Sequence, residues 1–436
     1  MRAASIIVFL ALGVFFTTPE QSNGQGETAV PFLLIPASPE GNGMGGIVGS
    51  TISENPMATV ANPGQLGMIS LDHYFIGGFY PSSTTWFPGS QVSDLRYTTT
   101  AFNAGLNLSS LTSLPFELSI GFGYSHVGFD LGTFVATNGT GGQLSSFNAE
   151  DNSNNWSVGI GIDYFIKMGI GYTNKNVASN LAPFNVQGQG RQGVASVTTY
   201  DIGLIAQVPV AKILDQLSGN PITFFGSAEP VFDISFGYAR RNLGNAFVTY
   251  IDAANSDPLP RNAMVGLSYK VGFTLPRTTA WEIFSFTLAR ESEDILVQRF
   301  PPPRDSSGTV IGNPPRPEYI DGNGAIQFIN NVVLGEGNGR VTLRKGWQVN
   351  FGELFLLRGG SVNGRGVSYI TSGYGLRLGG VLKAFKEFIP SFSNSPVTNF
   401  ILSHIDIRYD HASSEYDDRN NPNDGVTYNG LSLLVK

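Results

Sequence analysis

Residues 156 to 165 alternate strictly between large apolar side chains and small or polar ones. The large apolar residues are Trp156, Val158, Ile160, Ile162 and Tyr164, and the residues between them are Ser157, Gly159, Gly161 and Asp163. Because successive side chains of a β-strand point to opposite faces, such a strand has one apolar face and one nearly bare polar face. Its length, about ten residues, matches a tilted strand that crosses a lipid bilayer.

The same alternation recurs along most of the chain. Further examples are the segments 116–124, 200–208, 232–238, 265–273 and 405–409. In each segment one face is apolar, and the other is rich in glycine or carries charges of both signs. A soluble two-sheet sandwich needs a dry inner face and a charged outer one, so a closed barrel with a hydrated or ion-paired lumen fits better. The sequence therefore predicts an all-β fold, a transmembrane antiparallel β-barrel of about 14 strands.

Composition agrees with a membrane barrel. Charged residues make up 14% of the 436 residues, well below the roughly 25% of soluble domains. No internal apolar run reaches the ~20 residues that a membrane helix needs. The formal net charge of -7 gives no reason to expect nucleic acid as a partner. Cysteine is absent, so disulfides and thiol chemistry are excluded.

Three regions follow one another along the chain. Residues 1–24 have the pattern of a secretory signal peptide, with Arg2 before an apolar core at Ile6–Phe16. Residues 25–68 are expected to form a plug or hatch-like segment, and residues 69–436 an outer-membrane β-barrel with long extracellular loops. The protein is accordingly expected to be exported to a bacterial outer membrane and to contact its lipid.

Gly41, Gly43 and Gly46 match the spacing of a dinucleotide-binding fingerprint. That motif needs a strand before it and a helix after it, so that main-chain amides can meet a pyrophosphate. Here Pro36 and Pro39 precede the glycines, and no segment with helical periodicity follows. The favoured interpretation is a glycine-rich segment whose backbone packs closely against another part of the protein.

The predicted connections alternate in length, as in bacterial barrels. Short links are expected at 165–168 and 109–115, and long polar ones at Leu131–Asn155, Asn180–Gly193, Leu243–Pro260 and Val297–Gly324. The long ones are assigned to the cell surface. Val297–Gly324, with its runs of proline, is the hypothetical site of partner recognition. Ala211–Leu217 is the one short stretch with a helical pattern, and it is expected at the barrel rim.

No residue cluster predicts catalysis, a metal or a cofactor. The four histidines, His73, His126, His404 and His411, lack ligand spacing. The segments 321–324 and 417–424 contain acidic residues but lack the calcium-loop pattern, and solvated turns explain them better. A non-enzymatic protein without cofactors is expected.

The N-terminal region carries a resemblance. Residues 32–45 read FLLIPASPEGNGMG and residues 62–66 read NPGQL, which resembles the start of the PorV/PorQ family of FadL/TodX-type outer-membrane barrels. The matching motif residues are Gly43, Met44, Gly45, Asn62, Pro63 and Gly64. Later segments, 352–360, 371–377 and 405–409, are similar to strands of the same family. The chain departs from the pattern at Glu40, Ala61 and the non-aromatic C-terminus, which marks a divergent member.

The resemblance implies a function without covalent chemistry. A PorV-like member would serve the type IX secretion system, binding C-terminal signal domains of secreted cargo, the translocon, or both. A FadL-like channel for long-chain fatty acids or other hydrophobic compounds is the alternative; it would use an N-terminal hatch and a kink that opens the wall toward lipid. A purely structural barrel is a third possibility. The polar inner positions argue mildly against a fatty-acid path.

Overall fold

The protein folds into a closed antiparallel barrel of 14 strands around an internal segment. The computed structural model describes residues 28–88, 95–109, 114–138, 140–182, 193–219, 222–224, 227–244, 247–250, 256–276, 280–312, 315–389, 396–418 and 421–436. The strands are β1 Phe75–Phe79, β2 Arg96–Asn107, β3 Glu117–Thr137, β4 Gln143–Asp163, β5 Lys167–Ala182, β6 Gly193–Pro209, β7 Glu229–Leu243, β8 Asn262–Leu275, β9 Trp281–Ile295, β10 Thr342–Phe351, β11 Phe355–Gly364, β12 Val367–Arg377, β13 Ile405–Tyr416 and β14 Thr427–Val435. The predicted fold class and strand number are confirmed.

Each strand pairs with its neighbours in the sequence, and β1 closes the barrel on β14, from Phe75 opposite Val435 to Phe79 opposite Leu431. The start of β1 and the end of β14 define the terminal end of the barrel. The opposite end, the loop end, carries the connections 244–261 and 296–341. Closure joins the first and last strands over these five residue pairs, so that most of the two sheet edges is hydrogen-bonded within the protein.

The outer face is the apolar one, as the alternation predicts. Trp156 is 61% exposed and Ile160 51%, whereas Ser157 and Ser119 are buried inside. Phe102, Phe122, Tyr172, Tyr269, Leu288 and Trp347 continue the outward apolar surface around the barrel. This continuous surface is the part of the protein that contacts lipid.

One predicted loop is wrong. Leu131–Asn155 forms the upper part of a long β3–β4 hairpin, in which pairing continues up to Thr137 opposite Gln143. The segment extends beyond the length that a bilayer requires, so neither face has to be apolar throughout and the strict alternation disappears. The other three connections lie at the loop end. Asn180–Gly193 falls largely outside the described residues, Leu243–Pro260 partly so, and the connection that begins at 296 continues to 341.

In the part of the chain that the structure describes, five helices accompany the strands: α1 Pro39–Asn42, α2 Gly64–Asp72, α3 Val210–Ser218, α4 Leu378–Phe388 and α5 Pro396–His404. Helix α3 confirms the stretch predicted at 211–217, but the expectation of a single helix was wrong. Short 3-10 turns occupy Pro31–Leu34 and Pro56–Val60, and a π-helix occupies Phe328–Leu334. Among the described residues, every helix is too short or too polar to span a bilayer. The predicted signal peptide, residues 1–24, lies outside the described residues.

Candidate functional site: the plugged lumen

Residues 28–72, here called the plug, run through the barrel from the loop end to the terminal end. At the loop end, Ala29 N donates a hydrogen bond to Pro258 O. At the other end, α2 leads directly into β1, and His73 N donates to Ile69 O. The plug therefore follows the full height of the lumen, and its last helix fixes the starting point of the first strand.

Helix α2 packs backbone to backbone on the inner wall. A Cβ atom on Gly161 of β4 would lie 2.1 Å from Gly67 O, and one on Gly67 would lie 2.2 Å from Ile160 O. Gly121, Gly159 and Gly169 leave similar room for Leu66 and Met68. The bare face seen in the sequence is thus a groove for a helix, and any larger residue would push the helix away from the wall.

The Asn62-Pro63-Gly64 turn lies in the same groove. Asn62 Nδ2 donates to Gly49 O at 2.8 Å and to Leu204 O at 3.0 Å, while its Oδ1 accepts from Gly64 N at 2.9 Å. The side chain of Asn62 is fully buried. One amide therefore links two parts of the plug to the wall strand β6, and this explains why an asparagine suits that position.

The Gly43-Met44-Gly45 segment lies against β10–β12, across the barrel from α2. Gly45 has φ +75°, and its N donates to Thr371 Oγ1 at 2.8 Å. Arg344 Nη1 donates to Gly45 O at 3.1 Å. A Cβ on Gly45 would lie 2.9 Å from Lys345 O. The glycines thus serve close main-chain packing against the wall, in agreement with the interpretation preferred over nucleotide binding.

Among the described residues, three charged clusters line the lumen between its two ends. Lys175 Nζ lies 2.6 Å from Asp201 Oδ2. Glu293 lies between Arg241, at 2.5 Å, and Arg344, at 2.9 Å. Asp410 lies between Arg358, at 2.7 Å, and Arg377, at 3.0 Å.

These side chains are almost entirely buried, so each charge needs its partners to offset the loss of hydration. The mixed-charge inner positions of the sequence are thus ion-paired. An open water-filled pore would instead leave such charges exposed to solvent.

A polar chamber of about 390 Å³ lies at the terminal end, between the plug and strands β7–β13. Lys270 pairs with Glu282 at 2.6 Å, and Lys383 of α4 pairs with Glu353 at 2.7 Å. Carboxylates and cations of both plug and wall face this space. Its lining suits water and ions far better than an alkyl chain or an aromatic ring.

The loop end of the lumen is apolar instead. Its upper cluster consists of buried residues from the plug, the wall and the loops: Val30, Phe32, Leu33, Ala37, Met57, Tyr80, Tyr97, Ala101, Val127, Val177, Ala195, Val248, Leu259, Ala412, Val426 and Tyr428. Phe32 of the plug is 1% exposed in this cluster. The rings of Tyr80 and Tyr97 meet edge to face, with centroids 6.0 Å apart. The polar lumen therefore has an apolar compartment, filled by the plug's own side chains.

The wall beside the upper cluster is incompletely paired. Strand β1 ends at Phe79, although Tyr80 N still donates to Thr99 O at 3.0 Å, and the pairing with β2 resumes at Thr84–Thr85. Four residues, 80–83, thus lie opposite Thr98 and Thr99, a bulge of two extra residues. Within the described part of the chain, Thr427–Gly430 of β14 have no ladder partner on this side. We call this gap between β1 and β14 the seam.

The seam adjoins the upper cluster directly, because Tyr80 and Tyr428 belong to both. Tyr80 Oη donates to Ala37 O of the plug at 2.8 Å. Thr84 is buried, and its hydroxyl oxygen has no hydrogen-bond partner among the described residues. Such an unsatisfied group is uncommon in a well-paired wall, and it weakens the wall at this point.

The histidines do not come together. His73 lies 3.3 Å from Glu54 of the plug, His126 and His411 contact Asn154 and Asn429 on the outer side of the wall, and His404 contacts Phe400 O. The residues that the structure describes contain no group of three or more His, Asp or Glu side chains that could hold a metal ion.

Sequence reasoning located the plug segment but missed the upper cluster and the seam. Two signals were present. Tyr97 and Tyr428 occupy inward positions of their strands, where small residues predominate, and Pro81 interrupts a strand that must pair on both sides.

Comparisons with known proteins give only distant likenesses. No family model matches the chain, and no curated protein matches it. The toluene transporter TodX of Pseudomonas putida is 10% identical with a TM-score of 0.37, over 96% of this chain and 100% of that one. The monoaromatic hydrocarbon channel CymD is 10% identical with a TM-score of 0.33, over 92% and 97%. A FadL homologue of Pseudomonas aeruginosa is 8% identical with a TM-score of 0.33, over 91% and 96%.

Proposed function

We propose that this protein is an outer-membrane channel for small hydrophobic compounds, which enter at the loop end and leave sideways through the seam. The carrying observation is that the upper cluster, the apolar compartment of the lumen, lies directly behind the unpaired part of the wall. A compound that displaced Phe32 and its neighbours would meet lipid next, without crossing the charged clusters or the polar chamber.

The polar lumen, which argues against an axial path for fatty acids, is compatible with this route. Moving an apolar compound past buried ion pairs would bring no hydrogen bonds in return and would expose paired charges to an apolar surface. A lateral exit avoids that cost. The plug's role is then to fill the compartment when it is empty and to close the axial path for water and ions.

The experiment is uptake of a labelled long-chain fatty acid and a labelled monocyclic aromatic hydrocarbon by intact cells of an outer-membrane bacterium. Intact cells are needed because pure phospholipid bilayers already admit such compounds. Cells that lack the gene are compared with cells complemented by the wild type or by a variant lacking Pro81 and Ser82. That deletion removes the two extra residues and leaves Tyr80 opposite Thr99 and Ser83 opposite Thr98. The ladder with β2 then runs without a bulge from β1 to Thr85.

We expect the wild type to restore uptake and the deletion variant to abolish it while folding normally. Removing Ser306 and Ser307 from an exposed loop gives a matched two-residue control that keeps uptake. Equal uptake through the wild type and the variant with a regular ladder would exclude the lateral route. Absence of uptake by wild-type cells would exclude the channel.

A type IX secretion adaptor is the second proposal. Its support is the motif resemblance together with an exposed proline-rich loop: Val310 and Ile311, 49% and 64% exposed, project from the connection 296–341. Since the motif residues themselves are buried in the plug, partner binding would have to use such a loop. Removing residues 300–316, which leaves the pairing of Val297–Gln298 with Glu318–Tyr319 in place, should abolish surface attachment of cargo if this proposal holds, and unchanged attachment would reject it.

A further inference from the structure

The connection 296–341 does more than cap the barrel, because part of it folds down along the outer wall. Val332 of the π-helix packs against Ala263 and Val265 of β8 and Leu343 of β10. On its other side, Ile329, Val333 and Leu334 are 51%, 41% and 56% exposed. These apolar side chains therefore face the lipid side of the wall and not the lumen.

Below this segment, the wall forms an open bay of about 530 Å³. Its floor is made by outward side chains of β8, β9 and β10, namely Tyr269, Leu288 and Trp347. Trp347 lies flat on the wall because its neighbour across the ladder is Gly359, where a Cβ would come within 2.7 Å of the indole. Tyrosine and tryptophan concentrate where acyl chains meet headgroups, so the bay lies near the membrane interface.

Two cations lie at the upper edge of the bay. Arg290 and Lys345 are directly opposite each other on β9 and β10, and both point outward. A Cβ atom on Gly335 would lie 3.2 Å from Arg290 Nη1 and 3.4 Å from Lys345 Cε, so both side chains converge under the same loop residue. No carboxylate of the described residues lies within ion-pair distance of either cation.

Loop anchoring explains only part of this arrangement. Arg290 Nη1 donates to Val333 O at 2.6 Å, which holds the π-helix on the wall. The remaining guanidinium donors and the Lys345 ammonium find no acceptor among the described residues. Two adjacent cations that lack a counter-ion repel each other, and at a membrane surface an anionic lipid headgroup would offset this repulsion.

We propose that the bay binds one phosphorylated lipid of the outer leaflet. The phosphate lies between Arg290 and Lys345, and an acyl chain descends over Leu288 and Trp347 beneath Val332 and Val333. Arginine offers paired donors to phosphate oxygens, and lysine adds a point charge. The bound lipid would fix the connection 296–341 on the wall, a role independent of the proposed channel function.

The test uses the purified full chain in detergent and native mass spectrometry with three probes. The probes are a bis-phosphorylated lipid A, the same lipid without phosphates, and inorganic phosphate. We expect the wild type to retain phosphorylated lipid A at least tenfold better than the dephosphorylated lipid, and inorganic phosphate not to compete at millimolar concentration. The double variant Arg290→Ala/Lys345→Ala should lose this preference.

Two further variants make the outcome decisive. Lys345→Gln keeps the bond between Arg290 and the loop and should weaken retention several-fold even if the double variant fails to fold. Arg304→Ala is the control. Arg304 is an exposed arginine of the connection 296–341 that, like Arg290, donates to a main-chain carbonyl, and its substitution should leave lipid retention as in the wild type. Equal retention by Lys345→Gln and wild type, equal retention of the dephosphorylated lipid, or displacement by inorganic phosphate would each overturn the proposal.

Discussion

Arg408 on the inner face of β13 and Glu54 of the plug form an ion pair, which binds the wall near the C-terminus to the segment before the first strand. Arg408 Nε also lies 2.6 Å from Asp406 Oδ2. Burial alone would raise the pKa of the Glu54 carboxyl, but Arg408 and the hydrogen bond with His73 outweigh it and hold that pKa well below its usual range. The plug is therefore attached to the wall through a carboxylate that remains ionised at neutral pH.

The first prediction concerns acid. Because the folded-state pKa of Glu54 is lowered, its contribution to stability is present above the unfolded value of about 4.3 and is lost as pH falls through the folded value. Protection of residues 50–60 in hydrogen exchange, corrected for the intrinsic rate, should stay constant from pH 8 to about pH 5. It should decrease only at lower pH, and a decrease centred near pH 6 would contradict this.

Glu54→Gln tests the same ion pair at neutral pH. The Glu54 side chain keeps 40% of its surface exposed to the chamber, so the effect should be that of a partly exposed pair, about a two- to fivefold loss of exchange protection in the plug. Glu415→Gln changes an exposed carboxylate on β13, the strand that carries Arg408, and serves as the control. An equal effect of the two substitutions would show that the ion pair contributes nothing specific.

The second prediction concerns the shared carboxylate of Glu293. Glu293→Gln leaves Arg241 and Arg344 buried without their counter-charge, which should lower the free energy of unfolding by about 3–5 kcal/mol. Urea unfolding in lipid vesicles measures it, again with Glu415→Gln as the control. A loss below about 1 kcal/mol would mean that water or another anion replaces the carboxylate.

The third prediction concerns the groove that holds α2. Gly161→Ala places a methyl group against the carbonyl oxygen of Gly67, so helix and wall must separate, at an expected cost of about 1–3 kcal/mol. Gly337→Ala is the matched control, because its nearest neighbour, Leu343 Cδ1, lies at an ordinary contact distance of 3.6 Å. The temperature at which the folded, fast-migrating form is lost in gel electrophoresis should fall for Gly161→Ala only.

The fourth prediction concerns the contact between plug and seam. Tyr80→Phe removes the hydrogen bond to Ala37 O without changing the packing, at a cost of about 0.5–1.5 kcal/mol. If the plug must move for a compound to pass, uptake should rise by about two- to tenfold, the factor that corresponds to this energy. Tyr172→Phe, on the lipid-facing side, should leave uptake unchanged. Reduced uptake in Tyr80→Phe would contradict a plug that acts as a closure.

Period-two alternation predicted the barrel because its cause, lipid on one side and a polar lumen on the other, acts on every strand. Outside the bilayer this difference between the two faces is absent, and the alternation no longer predicts strands. The hairpin tip between Leu131 and Asn155 has polar surroundings on both faces, so its strands carry no alternation. Helix α4 was missed although Leu378, Val381, Leu382 and Phe385 follow a helical spacing, because Gly379 and Gly380 favour a turn in isolation.

The lumen was predictable in chemistry but not in geometry. The glycines of β4 and the charges of both signs were visible in the sequence. In the structure the glycines contact α2, and the charged clusters of the lumen form ion pairs. Which carboxylate meets which arginine depends on strands far apart in the sequence, such as Asp410 with Arg358 and Arg377. The seam arises because four residues, 80–83, lie between two segments that both pair with β2. This number can be compared with the two residues opposite only when the strand register is known.

The main-chain contact between α2 and the glycines of β4 has a consequence for biogenesis. A helix seated that closely in the groove, and continuous with β1, cannot be threaded into a finished cylinder. The plug must be in place while the sheet is still open, and the five-residue pairing of β1 with β14 must form last. Substitutions that weaken the seating of α2 are therefore expected to slow the closure of the barrel as well as to destabilise the finished fold.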